Sequence, residues 1–85
     1  MEKRVAVMSI IVEDKTVIEQ INALLHEYRE CIIGRMGLPY RQRNINIISI
    51  AIDAPQNDIA ALAGKIGKLP FVSVKTAYSS VISDE

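Results

Sequence analysis

A β-strand that is apolar on both of its alternating sets of side chains must be covered on both faces, and this chain has two of them. Lys3 to Val12 (KRVAVMSIIV) carries Val5, Val7 and Ile11 on one set and Ala6, Met8, Ile10 and Val12 on the other. Asn44 to Asp53 (NINIISIAID) carries Ile45 and Ile47 on one set and Ile48, Ile50 and Ile52 on the other. Both belong at the centre of a sheet. The stretch that precedes the second of them, Cys31 to Tyr40 (CIIGRMGLPY), is a strand of another kind. Gly34 and Gly37 remove side chains from it and Pro39 cannot donate to a ladder, so it suits an edge. Arg41-Gln42-Arg43 is the polar turn of the hairpin that joins the two. A fourth strand is expected from Phe71 to Tyr78.

Two helices separate these strands. Glu13-Asp14-Lys15 turns the chain, and Thr16 with Glu19 three residues later has the spacing of a capping box, with Asp14 as the rival cap. Val17, Ile21, Leu24, Leu25 and Tyr28 then fall on one stripe, while Glu19, Asn22, His26 and Glu30 lie away from it. Asp53-Ala54-Pro55 is expected to start the second helix, with Pro55 in the first turn and Asp58 adding favourable charge there. Its stripe is Ile59, Leu62, Ala63 and Ile66. Gly67 is expected to end it in a left-handed conformation, Pro70 prevents continuation, and Gly64 is expected to mark close packing against the sheet.

The order βαββαβ points to an α+β, ferredoxin-like two-layer sandwich with sheet order 4-1-3-2 and both helices on one face. It makes a single domain over residues 1–78, with a polar tail at 79–85 expected to fray. The arrangement leaves the other side of the central strands bare. Each Ile, Val or Met left there forgoes roughly 1.5–3 kcal/mol of burial, against a total stability of about 5–15 kcal/mol for a domain. A second copy of the chain is the simplest cover, so a homo-oligomer, dimer or tetramer, through the open sheet face is expected.

Composition narrows the function classes. Eighty-five residues, 49% of them hydrophobic, suffice for one core. Ten Lys+Arg against ten Asp+Glu give a net charge of +0, which disfavours a protein held to nucleic acid by phosphate neutralisation. The central strands also lack the aromatic residues on which RNA bases would stack. One cysteine suits a reducing cytoplasm. Nothing near Met1 has the pattern of a signal peptide, and the apolar runs are too short to span a bilayer, so a cytoplasmic protein without membrane attachment is expected.

No catalytic or metal-ligand spacing stands out, and no cofactor is expected. His26, with Asn22 and Glu30 as helical neighbours, reads as a solvated surface histidine; a metal or acid–base role is the rival. Cys31 reads as a buried structural thiol, with a sensor thiol or soft metal ligand as the rival. Arg35, Gly37, Pro39 and Tyr40 are the candidate ligand-binding residues. A cationic side chain beside a glycine that permits close approach could line an anion or small-molecule pocket, and the same residues could instead blunt an exposed edge. Arg41 and Arg43 at the hairpin tip read as a solvated turn, with a nucleic-acid contact as the alternative. A small enzyme with its site at a subunit interface is a further alternative, although no nucleophile–base pairing supports it.

At GRMGLPY followed by NINIISIAID, and again at LAGKIGKLPFVSVKTAYS, the chain resembles the small ACT-like proteins described as regulators of the iron-only hydrogenase system. The resemblance runs from Lys3 to Ser79. It implies a ferredoxin-like ACT fold, oligomeric assembly and a non-enzymatic regulatory role tied to that system. It brings no established ligand or site residues. Amino-acid-sensing ACT domains usually have an Asp/Gly-containing turn after the first strand, where this chain has Glu13-Asp14-Lys15 without glycine. The sensor domain of the nickel-responsive repressor is similar in fold but gathers several His and a Cys, where this chain has one of each.

Overall fold

The two doubly apolar strands lie side by side. β1 (Lys3–Val12) and β3 (Ile45–Ala54) pair antiparallel from Arg4 opposite Ala54 to Val12 opposite Asn46. β2 (Ile32–Tyr40) pairs with the other side of β3, and β4 (Val72–Ser83) with the other side of β1, both antiparallel. The order across the sheet is therefore β2-β3-β1-β4, the expected 4-1-3-2 arrangement of a ferredoxin-like, ACT-like sandwich. The structure, a computed structural model, describes residues 2–84; Met1, and Glu85 at the end of the expected tail, lie outside them.

Helices α1 (Ile18–Glu27) and α2 (Gln56–Gly67) pack on the face made by the even-numbered residues of both central strands. Ala6, Met8, Ile10 and Val12 from β1 meet Ile48, Ile50, Ile52 and Ala54 from β3 beneath Ile21, Leu25, Ile59, Leu62 and Ile66. Val17, at the entrance to α1, completes this layer. Met8, Ile10, Ile50 and Ile52 are fully buried, and among the described residues no polar or charged residue is buried with them. The layer is a dry aliphatic core, as β-branched residues in strands favour. Across the helices Lys65 Nζ lies 3.8 Å from Glu27 Oε1 and 5.2 Å from the centroid of the Tyr28 ring. A hydrogen bond with Tyr28 and the charge of that group raise the Lys65 pKa, with Glu27 adding to the effect. Lys65 and Glu27 are both about half exposed, so the contact orients the helices more than it stabilises them.

The ends of the elements depart from the sequence pattern in physically readable ways. The Thr16–Glu19 capping box does not form, because a 3-10 turn over Lys15–Val17 precedes α1 and puts Asp14 at the capping position. Asp14 Oδ1 accepts from the Thr16 N–H at 2.9 Å and from the Thr16 hydroxyl at 2.7 Å. These bonds to the charged carboxylate, the backbone one foremost, lower the Asp14 pKa. At the second helix, Asp53 and Ala54 remain in β3, and Pro55 takes the N-cap position with an extended backbone instead of entering the first turn. Ala54 is fully buried and paired with Arg4, which holds the strand one residue past the expected Asp53.

Gly67 does not supply a left-handed terminator. Lys68, the C-cap of α2, is right-handed, and the left-handed residue is Phe71 at φ 63°, after Pro70. Its carbonyl accepts from the Glu13 N–H at 2.8 Å, which ties this turn to the end of β1. Gly64 is exposed, and a Cβ there would meet nothing within 4 Å, so it does not mark close packing. β4 passes the Tyr78 boundary and runs to Ser83, with Ile82 opposite Arg4 and Ser83 opposite Lys3 beyond a bulge. Residues 79–83 thus belong to the sheet, because β1 starts early enough to offer them backbone partners.

Only one face of the central strands is covered. The odd-numbered residues of β1 and β3 point away from the helices, and Val5, Val7 and Ile11 are 43%, 44% and 43% exposed. Ile47 joins them from β3, with Met36 and Leu38 from β2. The methionine of this open face is Met36; Met8 lies in the core. Rows run across the sheet as Leu38–Ile47–Ile11–Ser73, Met36–Ser49–Ser9–Lys75 and Gly34–Ala51–Val7–Ala77. A polar row therefore lies between two apolar ones.

Candidate functional site

The strand that the sequence singles out, β2, is exposed along all of its length after Ile32, and its alternation distributes the four candidate residues. Arg35, Gly37 and Pro39 pair with Ile50, Ile48 and Asn46, and the first two of these partners are core residues, so the three lie on the helix side. Tyr40, opposite Ile45, belongs to the open face. The four do not form one site.

Arg35 enters a cleft of about 260 Å³ between α1 and β2, lined by Asn22, Leu25, His26, Arg29, Ile32 and Arg35. Its Nη2 donates to Asn22 Oδ1 at 3.0 Å. Arg29, in the 3-10 turn Arg29–Cys31 that follows α1, donates from Nη1 to the His26 carbonyl at 3.0 Å. That bond satisfies a carbonyl at the helix end and holds the guanidinium near the cleft. Asn22, His26 and Arg29 stand at i, i+4 and i+7, on one stripe of α1 continued into its exit turn. Buried Leu25 and half-buried Ile32 provide an apolar floor.

Pro39 and Tyr40 line a different cleft, of about 400 Å³, with Lys15, Arg41, Asn44, Ile45 and Asn46. It sits at the hairpin tip, where Arg41–Arg43 form a 3-10 turn closed by Asn44 in a left-handed conformation. Gly37 lines neither cleft, and apart from its two chain neighbours nothing among the described residues lies within 4 Å of where its Cβ would be. A third hollow, of about 420 Å³, lies at the start of α2 between Lys3, Arg4, Pro55, Asn57 and Ile82.

His26 is exposed, as expected, but as a member of the α1–β2 cleft. Cys31 is a half-buried free thiol packed against the core in the turn after α1. Among the described residues no three His, Cys, Asp or Glu side chains converge as a metal site. Sequence reasoning missed Asn22 as the partner of Arg35 and Arg29 as a second cation lining the same cleft. The i, i+4, i+7 spacing of Asn22, His26 and Arg29 was the available signal; the bond from Arg35 across 13 positions had none.

This geometry stands within a fold shared with solved proteins. The model of the TM1266-like family, described as "Iron-only hydrogenase system regulator, putative", matches residues 4–76. The chain belongs to the TM1266-like family. It is similar to the solved structure of the uncharacterized protein TM1266 from Thermotoga maritima, with 39% identity and a TM-score of 0.86. That likeness covers 89% of this chain and 96% of the other. A formyltetrahydrofolate deformylase from Pseudomonas putida KT2440 shares the fold alone, at 14% identity and a TM-score of 0.62, over 86% of this chain and 28% of that one. Among curated proteins none matches. The family description is that of a regulator, not of an enzyme. Among the described residues no helix of this TM1266-like chain is long and apolar enough to cross a membrane.

Proposed function

We propose that this chain is a cytoplasmic, oligomeric regulatory module of the iron-only hydrogenase system, in which a second copy covers the open sheet face and a small ligand or protein partner sets its state. The observation that carries the assembly part is the bare apolar side of the central strands. Val5, Val7, Ile11 and Ile47 are held by the sheet on one exposed face next to Met36 and Leu38. Exposed apolar rows of this kind mark an interaction site on a small domain. An identical face meeting it under two-fold symmetry would pair the apolar rows of one copy with those of the other, and the Ser9–Ser49 row with its counterpart.

The regulatory part is supported by the family description. A module of this kind acts by differential binding: the ligand must prefer one arrangement of the assembled copies over another. Native mass spectrometry at micromolar concentration, on protein purified without a metal-affinity column, tests the reading. A dimer or tetramer is the expected mass, and a retained small molecule would identify the effector directly. A clean monomer would overturn the assembly and assign the open face to a different protein.

A further inference from the structure

We infer that the cleft between α1 and β2 is a binding site for a small oxyanion-bearing molecule, whose carboxylate or phosphate is held between Arg29 and Arg35. This rests on the regulatory reading for the purpose of binding, and on the cleft alone for the binding itself. Two guanidinium groups reach the cleft from different elements, Arg29 from the turn after α1 and Arg35 from β2. No Asp or Glu lines it. Among the described residues neither guanidinium is ion-paired; the salt bridge at that end of α1 joins Glu27 to Lys65 instead.

The chain carries as many acidic as basic residues, so the absence of carboxylates from this one cleft is a local charge separation and not a general excess of cations. Two unpaired guanidiniums at one cleft repel each other, and an anion between them removes that repulsion. Among the described residues the Arg35 guanidinium makes one hydrogen bond, to Asn22 Oδ1, and the Arg29 guanidinium one, to the His26 carbonyl. Those bonds orient the planar forks and leave their remaining N–H groups for bidentate contact with carboxylate or phosphate.

The rest of the lining sets size and character. The imidazole of His26 and the amide of Asn22 add polar contacts beside the guanidiniums, and Leu25 with Ile32 offers a floor for a short aliphatic body. About 260 Å³ holds a small organic acid or a small phosphorylated molecule, not a dinucleotide. The hairpin-tip cleft is larger and also basic, through Lys15 and Arg41, but the structure gives neither cation a hydrogen bond that would aim it inward.

The test is a backbone-amide NMR titration of the intact protein with inorganic phosphate and, separately, with succinate, at ionic strength held constant with chloride. Saturable shifts are expected at residues 22–35 with at least one of the two anions, and which anion saturates assigns the phosphate or carboxylate class. Arg35→Gln and Arg29→Gln should each weaken that binding about tenfold or more, the usual effect of losing a charged hydrogen-bond partner. Asn22→Ala, which removes the group that orients Arg35 and one neutral polar contact but no charge, should weaken it less. Both arginines are exposed, so the variants should retain the wild-type spectrum elsewhere. Shifts that rise linearly with both anions, or saturation that survives both arginine substitutions, would overturn the site. Native mass separates this inference from the assembly: an oligomer without saturable binding refutes the cleft alone, and saturable binding to a monomer upholds the cleft while refuting the assembly.

Discussion

The two faces of the central strands are built from nearly the same residues and meet different environments. On the helix side, Ala6, Met8 and Ile10 oppose Ile52, Ile50 and Ile48, all essentially without solvent exposure. On the other side, Val7, Ser9 and Ile11 oppose Ala51, Ser49 and Ile47, and the large apolar members keep a third or more of their surface in water. Both sets are aliphatic, but only the first is used by the fold of one chain. The surplus on the second is a statement about what lies outside it. An ordinary half-covered antiparallel sheet alternates apolar with polar residues, and here the middle of the open side follows that rule only along the Ser9–Ser49–Lys75 row, with Ser73 and Asp53 at its margins.

The largest expected effect belongs to the covered face. Ile50→Ala removes a fully buried side chain from the layer beneath both helices and should cost about 2–5 kcal/mol, read from urea denaturation. An effect under about 1 kcal/mol would mean that the helix layer is loosely packed and that the two faces differ less than their exposure implies. Val7→Glu asks the converse question. It should weaken self-association on the order of 100-fold or more, measured by sedimentation equilibrium, because a carboxylate would be buried without a partner. The stability of the dissociated chain should move by only about 0.5 kcal/mol. If Val7→Glu destabilises the dissociated chain as much as Ile50→Ala does, the open face is part of the monomer's own stability and the contrast fails.

Smaller effects probe the elements that hold the helices against the covered face. Gly64→Ala should stabilise the protein by about 0.5–1 kcal/mol, since the added methyl meets nothing and the helix loses a flexible residue. Destabilisation would show that a partner packs against α2 there. The smallest effect is expected of Asp14→Ala, which removes the acceptor for both Thr16 donors at the start of α1. Because folding lowers the Asp14 pKa, its contribution is complete above the unfolded value of about 3.8 and is lost as pH falls through the lower folded value. Wild type and Asp14→Ala should therefore differ in urea midpoint at pH 7, begin to approach each other as pH falls below about 3.8, and converge once pH is below the lower folded value. A difference that persisted unchanged in acid would assign the effect to packing instead of the charged cap.

The sheet order was legible because period-2 patterning separates strands that need two covered faces from one, bearing Gly34, Gly37 and Pro39, that tolerates an edge. Element ends were less so. Asp14 displaced Thr16 as the cap once a 3-10 turn intervened, and Ala54 stayed in its strand because its methyl fills the core, which no local signal reports. Phe71 took the left-handed conformation expected of Gly67 because the chain reverses after Pro70, next to β4. The candidate site divided for a similar reason. Arg35 was visible as a cation on an edge strand, but its link to Asn22 depends on how α1 crosses the sheet, and Tyr40 points to the opposite face by strand alternation alone.

The most direct test of a covered open face is an isotope-filtered NOE experiment on a mixed sample, in which methyl-labelled and unlabelled copies are combined. Cross-peaks between copies are expected from the methyl groups of Val7, Ile11 and Ile47 to the same face of the partner. Cross-peaks confined to β2 or β4 edge residues, or none at concentrations where the chain is assembled, would contradict the account and place the contact somewhere other than the open side of the sheet.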